Sequence, residues 1–202
     1  MRKLFLVAVL ACAVMTGIAR GAPAQAYVYD RVLGTVARAS LWQAASQEAQ
    51  LALRNVLRVY VRCYRDRQAF ERTFERRFGE PARDVVAYYV GGGDVHLRNG
   101  TCENARTFLQ GRHTVYTAGA YAILLHEALH RQGMRNERIT TCLANEAVRW
   151  GALWHGSGEA QALRARNLAF AYTRLFSPPD YYMGKPDCLV LTRRKDWPAF
   201  RS

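Results

Sequence analysis

The residues of this chain best suited to chemistry lie in the stretch Tyr121 to His130, Tyr-Ala-Ile-Leu-Leu-His-Glu-Ala-Leu-His, where two histidines four positions apart bracket a glutamate. On an α-helix, positions i and i+4 share one face a single turn apart. His126 and His130 can therefore aim two imidazole nitrogens at one ion, and zinc suits such ligands. Glu127 projects beside that ion rather than onto it, where a carboxylate can take a proton from a water activated for attack on a carbonyl. One spacing thus supplies two ligands and a base, and the chemistry it points to is metal-assisted hydrolysis.

Such a motif works only if a helix holds it. Ala118, Ala120, Ala122, Leu124, Leu125, Ala128 and Leu129 are good helix formers, no proline interrupts residues 115 to 132, and Gly133 reads as a helix stop. Catalytic zinc takes three protein ligands and keeps one position open, so a further residue must reach the ion from elsewhere. The following helix, with Asn136 as its N-cap and an end near Trp154, offers Glu137 and Glu146. Nine positions apart, these acids stand about 180° from each other on the helix surface, so at most one can face the ion. Glu146 falls among Ile139, Cys142, Leu143, Trp150 and Leu153, an apolar face on which an acid requires a strong partner. Glu137 sits at the helix start, where the dipole alone tolerates an acid. The pattern of residues leaves both open.

The elements around this pair are mostly helical. Apolar residues from Val32 to Tyr60 recur at helical intervals, predicting a helix or helix pair over 31–64 with a break near Ser40. Residues 65–78 continue with Phe70, Phe74 and Phe78 at a spacing that predicts a core stripe, and Gly79-Glu80-Pro81 ends it. Stretches 84–90 and 94–97, rich in Val and Tyr, flank Gly91-Gly92-Gly93 and predict a β-hairpin. Its two readings are a strand edge that receives an extended substrate beside the motif helix and a simple flexible turn. Asn99-Gly100 reads as a turn, 102–110 as a short helix and 159–176 as a longer one, closed by Ser177-Pro178-Pro179. His113, Tyr116, Tyr121, Tyr181 and Tyr182 read first as packing residues, and second as donors to a tetrahedral oxyanion; Met183 has a second reading as a methionine turn beneath the metal, which its Tyr-Tyr-Met-Gly setting matches poorly. His96 and His155 read as ordinary polar residues.

The motif itself resembles the zincin metalloproteases. His126-Glu127 through Gly133, Asn136-Glu137 and Cys142, with the later Pro179, Tyr181 and Cys188, resembles a family of exported, largely uncharacterised zincin-like proteins of high-GC bacteria, over about residues 60 to 190. In that family an acid follows the second histidine by seven positions, which matches Glu137 and makes it the implied third ligand, with Glu146 as the alternative. The chain departs from the metzincin pattern, because Asn136 stands where a third histidine would. What the resemblance implies is a zinc peptidase of unspecified substrate.

The ends and the overall charge suggest where such a protein works. Arg2 and Lys3, the apolar run from Leu4 to Ile18 and Ala24-Gln25-Ala26 have the layout of a signal peptide, with cleavage expected after Ala26. The run is shorter than the ~20 residues that span a bilayer, so no transmembrane helix is expected after cleavage. Loss of Arg2, Lys3 and Arg20 lowers the formal charge from +13 to +10. That favours acidic partners or anionic envelope polymers, or serves solubility alone; no nucleic-acid motif accompanies it. Cys63, Cys102, Cys142 and Cys188 remain, and an even number in an exported chain predicts two disulfides. Pairing in order, Cys63 with Cys102 and Cys142 with Cys188, ties each peripheral segment to the next element. The absence of any C-x-x-C pair argues against cysteine ligands.

The expectation is therefore a signal peptide over 1–26 and a single zincin-like domain over 27–202, α+β and mostly helical, with an active-site helix and a short β-hairpin or sheet. Its expected function is that of a secreted or cell-envelope zinc-dependent metallopeptidase acting on a peptide or protein substrate. The alternative is a catalytically silent zincin-like protein, or a basic envelope-binding protein, with a structural metal.

Overall fold

Short stretches rich in Val and Tyr build a four-stranded sheet against a layer of helices. The computed structural model describes residues 25–45, 59–91 and 93–188, and within them the chain is α+β and mostly helical. The strands are β1 (Tyr27–Tyr29), β2 (Val61–Tyr64), β3 (Ala87–Tyr89) and β4 (Val95–Leu97), in the spatial order β1-β2-β4-β3. The central pair β2 and β4 runs parallel, and both outer pairs are antiparallel. A parallel pair needs a crossover, and helix α2 (Arg67–Phe78) lies on it.

Alternation along the strands divides the sheet into two faces. Val61, Cys63, Val95 and Leu97 join the main core with the helices, while Tyr64 and Tyr88 pack with Phe70 and Phe74 of α2 on the other side. Two of the three phenylalanines expected as a core stripe are buried; Phe78 is exposed and lies against Phe74 and Tyr88. Gly79, at a φ of 75°, ends α2 as expected.

The remaining helices are α1 (Arg31–Ala44), α3 (Asn99–Leu109), α4 (Val115–Arg131), α5 (Glu137–Trp154) and α6 (Glu159–Phe176). The motif helix α4 is central, packing on α1, α3, α5, α6 and the edge of the sheet. Tyr121, Leu124, Leu125, Ala128 and Leu129 are all fully buried, the pattern of a helix apolar nearly all round. Close approach needs small residues at two contacts. A Cβ on Gly119 would lie 2.1 Å from the Tyr172 ring of α6, and one on Gly151 of α5 would lie 2.3 Å from the Tyr121 ring.

Three expectations are corrected. The helical reading of 31–64 fails at its far end, where residues 61–64 form β2; Val59, Tyr60 and Val61 suit either period, and pairing with β1 and β4 decides between them. Residues 46–58 lie outside the described residues. No break occurs at Ser40, because its hydroxyl turns inward to the buried Tyr121 hydroxyl at 2.8 Å and α1 continues to Ala44. Asn99-Gly100 is not a turn but the first residues of α3, entered directly from Arg98. The hairpin is present, with β4 inside the sheet and β3 at one of its two edges.

Both cysteine pairs are bridged in the expected order. Cys63–Cys102 joins β2 to α3 with Cα atoms 5.7 Å apart, and Cys142–Cys188 ties α5 to the chain beyond α6 at 5.5 Å. Among the described residues, no helix is long and apolar enough to cross a membrane. Almost all of the expected leader lies outside the described residues; β1 begins at Tyr27, the residue after the expected cleavage point.

Candidate metal centre

Local signals set both ends of α4. Thr114 caps it, and a capping box closes as the Thr117 hydroxyl accepts the Thr114 N–H at 2.8 Å. At the other end Gly133, with φ 93°, turns the chain into a short link to α5. Asn136 caps α5 by accepting the Ile139 N–H at 3.0 Å. Glu137 is therefore delivered at the first turn of α5, where the helix dipole favours an anion.

That link brings three ligand atoms together. His126 Nε2 and Glu137 Oε2 lie 2.9 Å apart, His130 Nε2 and the same oxygen 3.2 Å, and the two Nε2 atoms 2.8 Å. The other ring nitrogens are already engaged. His130 Nδ1 donates to the Met134 carbonyl at 2.7 Å, and His126 Nδ1 pairs with the Thr141 hydroxyl of α5 at 3.1 Å. Partners on Nδ1 fix ring orientation and leave each Nε2 lone pair for an ion. Two imidazole nitrogens and a carboxylate, oriented in this way, could hold a metal ion, and the donor set fits zinc. Asp30, Cys63 and Cys102 also cluster, but their sulfurs are joined in a disulfide and offer no thiolate.

The acids around this centre differ in setting. Burial pushes the Glu137 carboxyl up, but the hydrogen bonds and charges of His126 and His130 outweigh it and leave the pKa below the usual carboxylate range. Burial dominates at Glu127 and raises its pKa, against the pull of His126 and His130. A backbone hydrogen bond from Tyr89 of β3 also reaches Glu127. Glu146 points elsewhere, toward Arg166 of α6 at 3.3 Å. That guanidinium is the partner of its one paired oxygen, burial still raises the Glu146 pKa, and Glu146 stands outside the group formed by His126, His130 and Glu137.

A cleft of about 330 Å³ opens beside the centre. His126 and Glu127 line one wall, Val85 to Ala87 leading into and opening the edge strand line another, and Tyr172 and Phe176 of α6 give it an apolar side. Tyr181, in a 3₁₀ turn over Pro179–Tyr181, completes it and stacks on His126 at 5.8 Å between ring centroids. Burial first, then the nearby Glu137 and Glu127 carboxylates, raise the Tyr181 pKa, so its hydroxyl remains a donor. Packing was the first sequence reading for this tyrosine; its position after a Pro-Pro turn gave no sign of where the chain returns. Tyr121 is a core residue as read, Tyr116 is exposed against Phe176, and His113 packs on Phe108. Met183 lies against the Cys142–Cys188 bridge and Phe170 rather than beneath the histidines. Comparison of the chain with known protein families, characterised proteins and solved structures finds no match.

Proposed function

We propose that the protein is an exported, zinc-dependent metallopeptidase whose metal is held by His126, His130 and Glu137. The observation that carries this reading is the convergence of two Nε2 atoms and Glu137 Oε2 beside Glu127, at a cleft bordered by an edge strand. Zinc at this position would supply Lewis acidity, polarising a carbonyl and lowering the pKa of water. Glu127 takes the proton of the attacking water and returns it to the departing amine, the paired role of a general base and acid beside the reacting centre. Tyr181, whose ring stacks on His126 and lines the cleft, donates through its hydroxyl to the oxyanion that develops on the substrate. An extended peptide adds along β3, so that its backbone is held by strand pairing and its side chains enter the apolar side of the cleft. The paired cysteines suit an oxidising compartment outside the cytoplasm.

The hydrogen bond between Tyr89 and Glu127 favours one second reading. In it the carboxylate ties α4 to the sheet, and the metal stabilises a catalytically silent, basic envelope-binding protein. Metal analysis and digestion of a diverse peptide library with the zinc-loaded protein separate the two. The peptidase reading expects cleavage, and Glu127→Gln should lower the rate by ~10²–10⁴-fold, the usual weight of general acid–base catalysis, while zinc content stays near that of the unaltered protein. Absence of cleavage with zinc bound and both disulfides formed, or equal cleavage by Glu127→Gln, hands the site to the structural reading.

A further inference from the structure

On the side of the sheet turned away from α4, a second cavity of about 590 Å³ opens between the last turn of α2 and the β3–β4 hairpin. Its floor includes His96 of β4 and Tyr88 of β3, stacked with ring centroids 4.3 Å apart. Arg62 of β2 and Arg76 and Arg77 of α2 line it as well. Asp94 is the one carboxylate among the lining residues, and it is already shared, by Arg62 Nε at 2.5 Å and the Tyr29 hydroxyl at 3.0 Å. No lining acid therefore offsets Arg76 and Arg77.

His96 is an uncommon residue to find on such a floor. It is only 7% exposed, and its Nδ1 is held by the Tyr64 hydroxyl at 2.9 Å. With Nδ1 accepting that bond, the neutral ring carries its proton on Nε2 as its remaining donor. Burial, reinforced by the Arg62 charge, keeps the ring neutral down to a pKa of about 4. Basic residues in the last turn of α2 also complement the helix dipole. The dipole does not explain why Arg62 and a buried imidazole from two strands border the same space.

We infer that this cavity binds a small molecule through an oxyanion, phosphate or carboxylate, received by Arg76, Arg77 and the His96 ring. Guanidinium forks match such groups in geometry and charge, and a bond to an ionised oxygen is stronger than one between neutral groups. The cavity shares no lining residue with the cleft beside the metal centre, so the inference is independent of the proposed peptidase activity.

The test follows the His96 ring signals by NMR while the full chain is titrated in separate arms with inorganic phosphate and with citrate. The expected result is a saturable shift of His96 in at least one arm, which also assigns the ligand to the phosphate or the carboxylate class. Arg77→Gln and Arg76→Gln change exposed side chains, and each should weaken binding by about tenfold. Arg174→Gln, an exposed control on α6, and Glu127→Gln should leave it unchanged. The inference is overturned if neither anion moves His96 saturably, or if Arg174→Gln weakens binding as much as Arg77→Gln, which would mark only general attraction to a basic protein.

Discussion

His126 and His130 on one side of the molecule are buried and partly buried, and His96 on the other is buried, yet the electrical settings of the two sides differ in sign. The helical pair meets a carboxylate: Glu137 touches both Nε2 atoms, and each ring is braced through Nδ1. The strand histidine meets guanidinium charge from Arg62 and Arg77, offset in part by the Asp94 carboxylate, with its Nδ1 held by a tyrosine. One setting draws a cation and the other an anion. Burial of an imidazole thus says little about its use; the sign of the charge facing its remaining nitrogen says much more.

The two sides can be separated experimentally, beginning with the disulfides. Each closes a loop of about 40 residues, with separations of 39 and 46, and by the chain-entropy estimate each contributes roughly 4 kcal/mol. Denatured, unreduced protein should show no free thiol among Cys63, Cys102, Cys142 and Cys188, and reduction should lower stability by that order in chemical unfolding. The comparison sharpens further if Cys188→Ser weakens metal binding more than Cys102→Ser, since only the former bridge anchors the chain beyond Tyr181 to α5. Equal effects would show that the bridges act on global stability alone.

Glu137→Gln should next reduce zinc affinity by more than ~100-fold, because loss of a direct ligand exceeds the ~10–100-fold seen for outer partners. Glu146→Gln should leave zinc affinity unaltered, since its carboxylate faces Arg166. Zinc titration against a competing chelator reads both, and the reverse order would transfer the third ligand to Glu146.

A pH series probes the opposite side of the sheet. The folded pKa of His96, about 4, lies below its ordinary value of 6.5, so the unfolded chain binds the proton more tightly. The stability associated with neutral His96 is complete above pH 6.5 and is lost as the pH falls toward about 4. After allowance for the ring's partial solvation, that loss is on the order of 2 kcal/mol. Urea unfolding across this window should show a shallower decline for His96→Asn than for the unaltered protein; parallel declines would place the acid sensitivity in other groups.

The smallest effect concerns the brace on His126. Thr141→Val removes the hydroxyl beside Nδ1 while conserving shape, and should weaken zinc binding about tenfold, the lower end for an outer partner. Unchanged affinity would show that packing against Tyr181 orients the ring by itself.

Much of the metal side was legible in the residues. The i, i+4 histidines, the Asn136 cap and the Gly133 stop are local signals, and α5 begins and ends where they place it. Glu137 and Glu146 could be separated onto opposite faces by helix geometry alone. Choosing between them from the residues took a resemblance, because the choice depends on how the 132–136 link folds and on Arg166 arriving from α6. Much less of the sheet was legible. Three- and four-residue strands carry too few positions to establish a period, so Val61–Tyr64 read as helix and His96 read as an ordinary polar residue.

Helix periodicity, caps and the histidine spacing are short-range properties, and the sequence by itself determined them: the motif helix, the long helices after it and the two nitrogens sharing one face. Tertiary structure alone decided what those nitrogens meet. It brought the first turn of α5 back over α4, placed β3 at an edge beside Glu127, and buried His96 beneath arginines from two other elements. The physical reason is range. Backbone hydrogen bonds and side-chain neighbours within one turn act along the chain, whereas burial and electrostatic pairing depend on segments far apart in sequence, and only the packed fold specifies which of them meet.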